Sequence, residues 1–191
     1  MKFSSTAIVA AMVLAATACR KGSEPSDRAT EGAAQAVAAR PAGELLEVGA
    51  PAPALRATAH TGEPVDLAAF RGKPVVVYFY PKDDTPGCTV EAQEIRDLWS
   101  DLQASSAVVL GVSSDDGTSH QQFAEKHALP FLLLPDMDHR IAQAFGVPLN
   151  NGRARRVSFV IDRQGKIAKV FPEVKPQGHG RELLDAVREL K

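Results

Sequence analysis

The residue best equipped for chemistry is Cys88, in the stretch Pro81-Lys82-Asp83-Asp84-Thr85-Pro86-Gly87-Cys88-Thr89. A β-branched and aromatic run at 74–80 (PVVVYFY) precedes this stretch, and a helical pattern follows it. Pro86 and Gly87 impose a tight turn, so the thiol falls in or just before the first helical turn. Free amides at a helix start favour negative charge, which biases such a thiol toward thiolate, the form that attacks. Thr85 lies on the same turn, near enough for its hydroxyl to reach the sulfur or an oxygen held beside it. A buried structural cysteine is the competing reading, since free Cys is among the most buried residue types. Pattern alone does not separate the two.

The elements that must position Cys88 are strands and helices in alternation. The run at 74–80 has the composition of a strand buried on both faces, and AVVLGV at 107–112, Phe131 to Leu134 and VSFVI at 157–161 repeat it. Helical spacing joins Cys88, Ala92, Ile95, Trp99 and Leu102 on one face, which turns the sulfur toward the body and places Trp99 on the same helix. Further helical patterns cover Gln121 to His127, Ile141 to Phe145 and the segment through Leu183, Leu184, Val187 and Leu190. Such alternation predicts an α/β fold with a central, mixed but mostly parallel sheet flanked by helices. Leu55 to Phe70, broken by His60-Thr61-Gly62-Glu63, reads as a hairpin before the core. Lys166 to Phe171 reads as an antiparallel return after the Asp162–Gly165 turn.

Composition narrows the chemistry. The chain has 191 residues, 45% of them hydrophobic and 24% charged, which excludes a wholly disordered protein. Its 22 basic and 23 acidic residues give a net charge of −1, so nothing points to nucleic acid. Two cysteines cannot build a disulfide framework or a four-thiolate zinc site. No two histidines are four apart, and Asp136, Asp138 and His139 read as turn and helix-start residues, not metal ligands.

The first part of the chain reads as targeting. Lys2 followed by the mostly apolar Phe3 to Ala16 suits a signal peptide over residues 1–18, because a spanning helix needs roughly 20 apolar residues. Cleavage after Ala16-Thr17-Ala18 leaves Cys19 first, which resembles a bacterial lipobox with Ala16 where Leu is usual. Lipid on Cys19 predicts an exported, membrane-anchored lipoprotein facing the periplasm or cell exterior; ordinary cleavage predicts a soluble periplasmic protein. Residues 19–48 read as a disordered tether, whose stretch from Arg20 onward reaches roughly 100 Å at about 3.4 Å per residue. The folded domain is then expected over 49–191.

At Tyr78-Phe79-Tyr80-Pro81-Lys82 and Thr85-Pro86-Gly87-Cys88-Thr89 the chain resembles the peroxiredoxin active-site segment. The Thr-Pro-Gly-Cys-Thr wording with Glu91-Ala92 is similar to the bacterioferritin-comigratory, or Q-type, subfamily. Gly111-Val112-Ser113, FLLLPD at 131–136, Phe145-Gly146-Val147 and RVSFVID at 156–162 extend the likeness over about residues 47–191. The resemblance implies a thioredoxin-like fold and a thiol-dependent, thioredoxin-dependent-type peroxidase that reduces hydrogen peroxide and organic hydroperoxides without metal or organic cofactor. It makes Cys88 the peroxidatic cysteine, Thr85 the hydroxyl that contacts it, Pro81 the shield of the pocket floor and Arg156 the neighbouring guanidinium. Strand alternation shows only that Arg155 and Arg156 point oppositely; the resemblance selects Arg156. Glu91 is expected to orient that arginine.

The chain departs from the subfamily at Gln93, where many Q-type members carry a resolving cysteine. The expectation is therefore one-cysteine chemistry: a Cys88 sulfenic acid resolved by an external thiol, either a thioredoxin-like protein or a small molecule. Cys19, if it stays a free thiol, is the alternative resolver. Relatives of this type suggest a monomer or weak dimer. A membrane-tethered thioredoxin-like binding or chaperone module without peroxidase activity is the rival function. A thiol–disulfide reductase would need Cys where Thr85 stands.

Overall fold

The computed structural model describes residues 43–190. The signal peptide, Cys19 and most of the expected tether lie outside the described residues. The predicted hairpin is present as β1 (Arg56–Thr58) and β2 (Pro64–Asp66), antiparallel and followed by a 3-10 turn at Leu67–Phe70. The main chain of alternation then runs β3 (Val75–Phe79), α1 (Pro86–Asp97), α2 (Trp99–Ala104), β4 (Val108–Ser113), α3 (Gly117–His127), β5 (Leu132–Pro135) and α4 (Arg140–Ala144). A short hairpin, β6 (Leu149–Asn150) and β7 (Arg153–Ala154), leads to β8 (Val157–Ile161), β9 (Ile167–Phe171) and α5 (His179–Glu189).

Every residue of β3 is buried, which a strand tolerates only between neighbours and beneath helices on both sides. It occupies the centre of a five-stranded sheet in the order β5-β4-β3-β8-β9. β3, β4 and β5 are parallel, β8 is antiparallel to β3 and β9 antiparallel to β8, so only β8 runs against the others. Alternation sends Val75, Val77, Phe79, Phe159 and Ile161 to one face, where Ile141 and Phe145 cover them. Val76, Tyr78, Tyr80 and Val160 meet Cys88, Ala92 and Ile95 of α1 with Leu183, Leu184 and Val187 of α5 on the other. The catalytic candidate is thus part of a core layer. Gly111 is needed beneath Tyr78: a Cβ there would stand 2.6 Å from Leu133 Cδ2 and 2.8 Å from Tyr78 Oη.

Two expectations need correction. Trp99 is not on the helix that carries Cys88: α1 ends at Asp97, Leu98 leaves helical geometry (φ −99°, ψ 10°), and Trp99 opens α2. Apolar spacing continues across the break, so periodicity alone reads through it. The folded body also begins before Gly49. Leu46 is buried in the core and its amide donates to the Phe145 carbonyl (3.3 Å), while Glu44 lies against Gly146. Two leucines after a polar stretch form too short an apolar signal to mark that boundary.

Candidate active site

Pro86 occupies the first turn of α1, where its missing N–H would have had no partner, and Thr85 caps the helix in extended conformation. Cys88 follows in the first turn, beside amides that have no acceptor within the helix. Its side chain is 2% exposed. The Arg156 guanidinium, from the residue before β8, donates through Nη2 to Cys88 Sγ at 3.3 Å and through Nη1 to Glu91 Oε2. A guanidinium in contact with sulfur stabilises negative charge as it develops there. Gly87 makes the approach possible, because a Cβ at that position would stand 3.3 Å from Arg156 Nη2.

Glu91 lies one turn along α1, fully buried, and its Oε1 has no hydrogen-bond partner. Burial pushes its carboxyl up to about 7 against the pull of Arg156. Burial acts against the charge of Arg156 too, yet Glu91 and Cys88 hold the guanidinium above its ordinary range. Arg155 has Glu173 at 3.8 Å, and Arg156, not Arg155, is the donor to the sulfur.

Thr85 differs from expectation in one respect. Its hydroxyl donates to the Lys82 carbonyl (3.1 Å), not to the sulfur, because the extended cap conformation folds it back over the loop. The hydroxyl oxygen keeps its acceptor capacity for a further donor. Pro81 is half-buried and lines, with Arg156, an open groove of about 770 Å³.

A second buried cluster, not anticipated from the sequence, fixes the loop that leads into α1. The Asp83 carboxylate accepts from Tyr80 Oη (2.7 Å) and Ser119 Oγ (2.7 Å) and pairs with His120 Nδ1 (2.9 Å). The Asp83 amide donates to Asp115 Oδ2 (2.9 Å). Burial raises the Asp83 carboxyl, but the bonds from His120, Tyr80 and Ser119 outweigh it and hold the group below its ordinary value. Asp84, in the left-handed region (φ 57°), pairs with Lys126 and with His127 Nε2 (2.8 Å). Adjacent acids thereby fasten the loop to α3 from the inside and the outside. Gln93, at the position of the absent cysteine, contacts His127 Nδ1 at 3.3 Å. The signal for this cluster was an acid pair on one element and two histidines on another, and only the fold pairs them.

Comparison with known proteins places the chain in a family. The AhpC/TSA family model matches residues 48–170. The putative peroxiredoxin bcp of Coxiella burnetii is 43% identical over 146 residues, covering 73% of this chain and 97% of that protein. Peroxiredoxin Bcp of Bacillus subtilis is 41% identical over 152 residues, covering 76% of this chain and 97% of that protein. The chain belongs to the AhpC/TSA family. Among solved structures, the bacterioferritin comigratory protein of Xanthomonas campestris, described for its alkyl peroxide reduction activity, superposes with a TM-score of 0.70. It is 30% identical, and the match covers 75% of this chain and 98% of that one. As a peroxiredoxin of the Bcp and Q type, the chain is a thiol-dependent peroxidase with the thioredoxin-like architecture described above. The Asp136 carboxylate accepts from the Ile141 and Ala142 amides (2.9 Å each) at the start of α4.

Proposed function

We propose that Cys88 is the peroxidatic residue and that the substrates are hydrogen peroxide and alkyl hydroperoxides. The observation that carries this is the Arg156 Nη2 contact with Cys88 Sγ at 3.3 Å, made at a helix start. A thiolate at Cys88 attacks the terminal peroxide oxygen; an S–O bond forms as the O–O bond breaks. The leaving alkoxide takes up a proton as alcohol, or as water when the substrate is hydrogen peroxide. Arg156 and the free amides of α1 stabilise the charge as it passes from sulfur to oxygen. Thr85 Oγ1 accepts from the peroxide and aligns it, and Pro81 limits access of water. Glu91 holds the guanidinium in place. The Cys88 sulfenic acid is then resolved by an external thiol, since α1 carries Gln93 and no second cysteine.

The test is peroxide consumption by the purified protein with excess thiol, compared with Cys88→Ser. Turnover is expected to vanish in the variant, and a dimedone adduct is expected on Cys88 alone. Equal rates in the two proteins would favour the binding-module reading instead.

Residues 1–18 are further proposed to direct export, with lipid on Cys19 anchoring a tethered domain to a membrane facing the periplasm or cell exterior. Lys2, the apolar Phe3 to Ala16 and the small residues before Cys19 support this. Cys19→Ser should move the protein from the membrane fraction to the soluble one; unchanged partition would refute the anchor.

A further inference from the structure

The groove beside the active site is basic, and its charges are unevenly matched. Its volume is about 770 Å³, and Pro81 and Arg156 are the lining residues it shares with the catalytic cluster. Arg153, Arg155, Lys175 and Glu173 contribute the remaining charges. Arg156 is matched by Glu91, and Arg155 has Glu173 at 3.8 Å. Arg153 and Lys175, both exposed, have no acidic partner within bridging distance among the described residues. No aromatic or long aliphatic side chain lines the groove, so it offers little to an acyl chain. Its size suits a small molecule.

We propose that this groove binds the resolving thiol, and that this thiol is a small molecule carrying two or more carboxylates, one each for Arg153 and Lys175. The proposal rests on Cys88 forming a sulfenic acid. Two features favour a small thiol over a peroxide as the occupant. The helix that bears Cys88 carries Gln93 and no second cysteine, so with Cys19 lipidated the resolving sulfur comes from outside the chain. The two separated cations Arg153 and Lys175 suit a reagent that carries carboxylates, which simple hydroperoxides lack. In the step itself the thiol sulfur attacks the Cys88 sulfur. An S–S bond forms and the S–O bond breaks, with the hydroxyl leaving as water on taking the thiol proton. A second equivalent of the same thiol attacks the mixed disulfide, releases Cys88 as thiol and departs as the small-molecule disulfide. Two thiols are oxidised for each sulfenic acid reduced.

The experiment pre-oxidises the full protein with one equivalent of hydrogen peroxide and follows re-reduction by Trp99 fluorescence in stopped flow. Mercaptosuccinate and glutathione supply carboxylate-bearing thiols, and 2-mercaptoethanol the neutral reference. Replacing both exposed cations (Arg153→Gln with Lys175→Gln) is expected to lower the mercaptosuccinate rate constant about tenfold relative to that for 2-mercaptoethanol. Raising the ionic strength should shrink the same ratio in the parent protein. A ratio unchanged by both treatments overturns the assignment. A charge effect confined to the oxidation step, measured with a carboxylate-bearing hydroperoxide against tert-butyl hydroperoxide, reassigns the groove to the peroxide and also overturns it. Failure to trap a Cys88 dimedone adduct removes the peroxidatic reading itself, whereas a trapped adduct without charge preference removes only the groove.

Discussion

Asp83 and Glu91 flank Cys88 in the chain, both are buried acids, and the fold treats them in opposite ways. Asp83 receives Tyr80, Ser119 and His120, and these bonds keep its carboxyl below the ordinary value despite burial. Glu91 has Arg156 on one oxygen and nothing on the other, and burial lifts it to about 7. Glu91 is the deeper of the two and has the fewer donors, and both push its carboxyl up, whereas at Asp83 three donors outweigh burial. The difference suits their places. Asp83 anchors the loop entering α1, where a fixed charge holds three side chains together. Glu91 shares its arginine with the Cys88 sulfur.

The strongest way to break this comparison is to remove the shared cation. Arg156→Met should lower the second-order rate of Cys88 oxidation by about 100-fold or more, read by stopped-flow fluorescence. Arg156→Lys should restore only part of it, because an ammonium cannot span carboxylate and sulfur in one plane. Retention of near-parent rates in Arg156→Met would detach the guanidinium from the chemistry.

Stability should discriminate between the acids next. Asp83→Leu leaves Tyr80 Oη, Ser119 Oγ and His120 Nδ1 without their acceptor, and should destabilise by about 2–3 kcal/mol in denaturant titrations. Glu91→Gln keeps one acceptor for Arg156 but removes its countercharge and sets an unpaired amide where the empty oxygen stands, so a loss of about 1–2 kcal/mol, smaller than that of Asp83→Leu, is expected. The reverse order would show that Glu91, not Asp83, is the structural anchor.

The smallest effect is the sign of the pH dependence. The folded form binds the Glu91 proton more tightly than the unfolded chain, whose carboxyl has the ordinary value of 4.5, so this group's stabilising contribution is full below that value. It is lost as pH rises toward about 7. Asp83 behaves oppositely: its contribution is present above 3.8 and lost as pH falls through the lower folded value. Denaturant midpoints against pH should therefore lose a falling limb in Glu91→Gln and an acid-side rising limb in Asp83→Leu. Parallel curves for parent and both variants would contradict the assignment of either group.

Much of the frame was legible in the chain. The runs at 74–80, 107–112, 131–134 and 157–161 coincide with β3, β4, β5 and β8, because strands buried on both faces must be continuously apolar. The turn residues Pro86 and Gly87 placed Cys88 at a helix start for equally local reasons. The break at Leu98 was hidden because apolar spacing persists through it, and β6 and β7 because two-residue strands carry no period. Arg156 over Arg155 was reached only by resemblance, since alternation distinguishes two faces without saying which one meets α1.

Sequence alone determined the layers of the sheet, the helix start that bears the thiol and the absence of a cysteine at Gln93, all consequences of residue type and near-neighbour spacing. Tertiary structure decided the rest. It brought Arg156 across to Cys88, gave Glu91 one partner and Asp83 three, and left Arg153 and Lys175 unmatched in a groove that Arg156 also lines. These contacts join residues far apart in the chain, and their energies depend on burial and donor count, which exist only once the layers have closed.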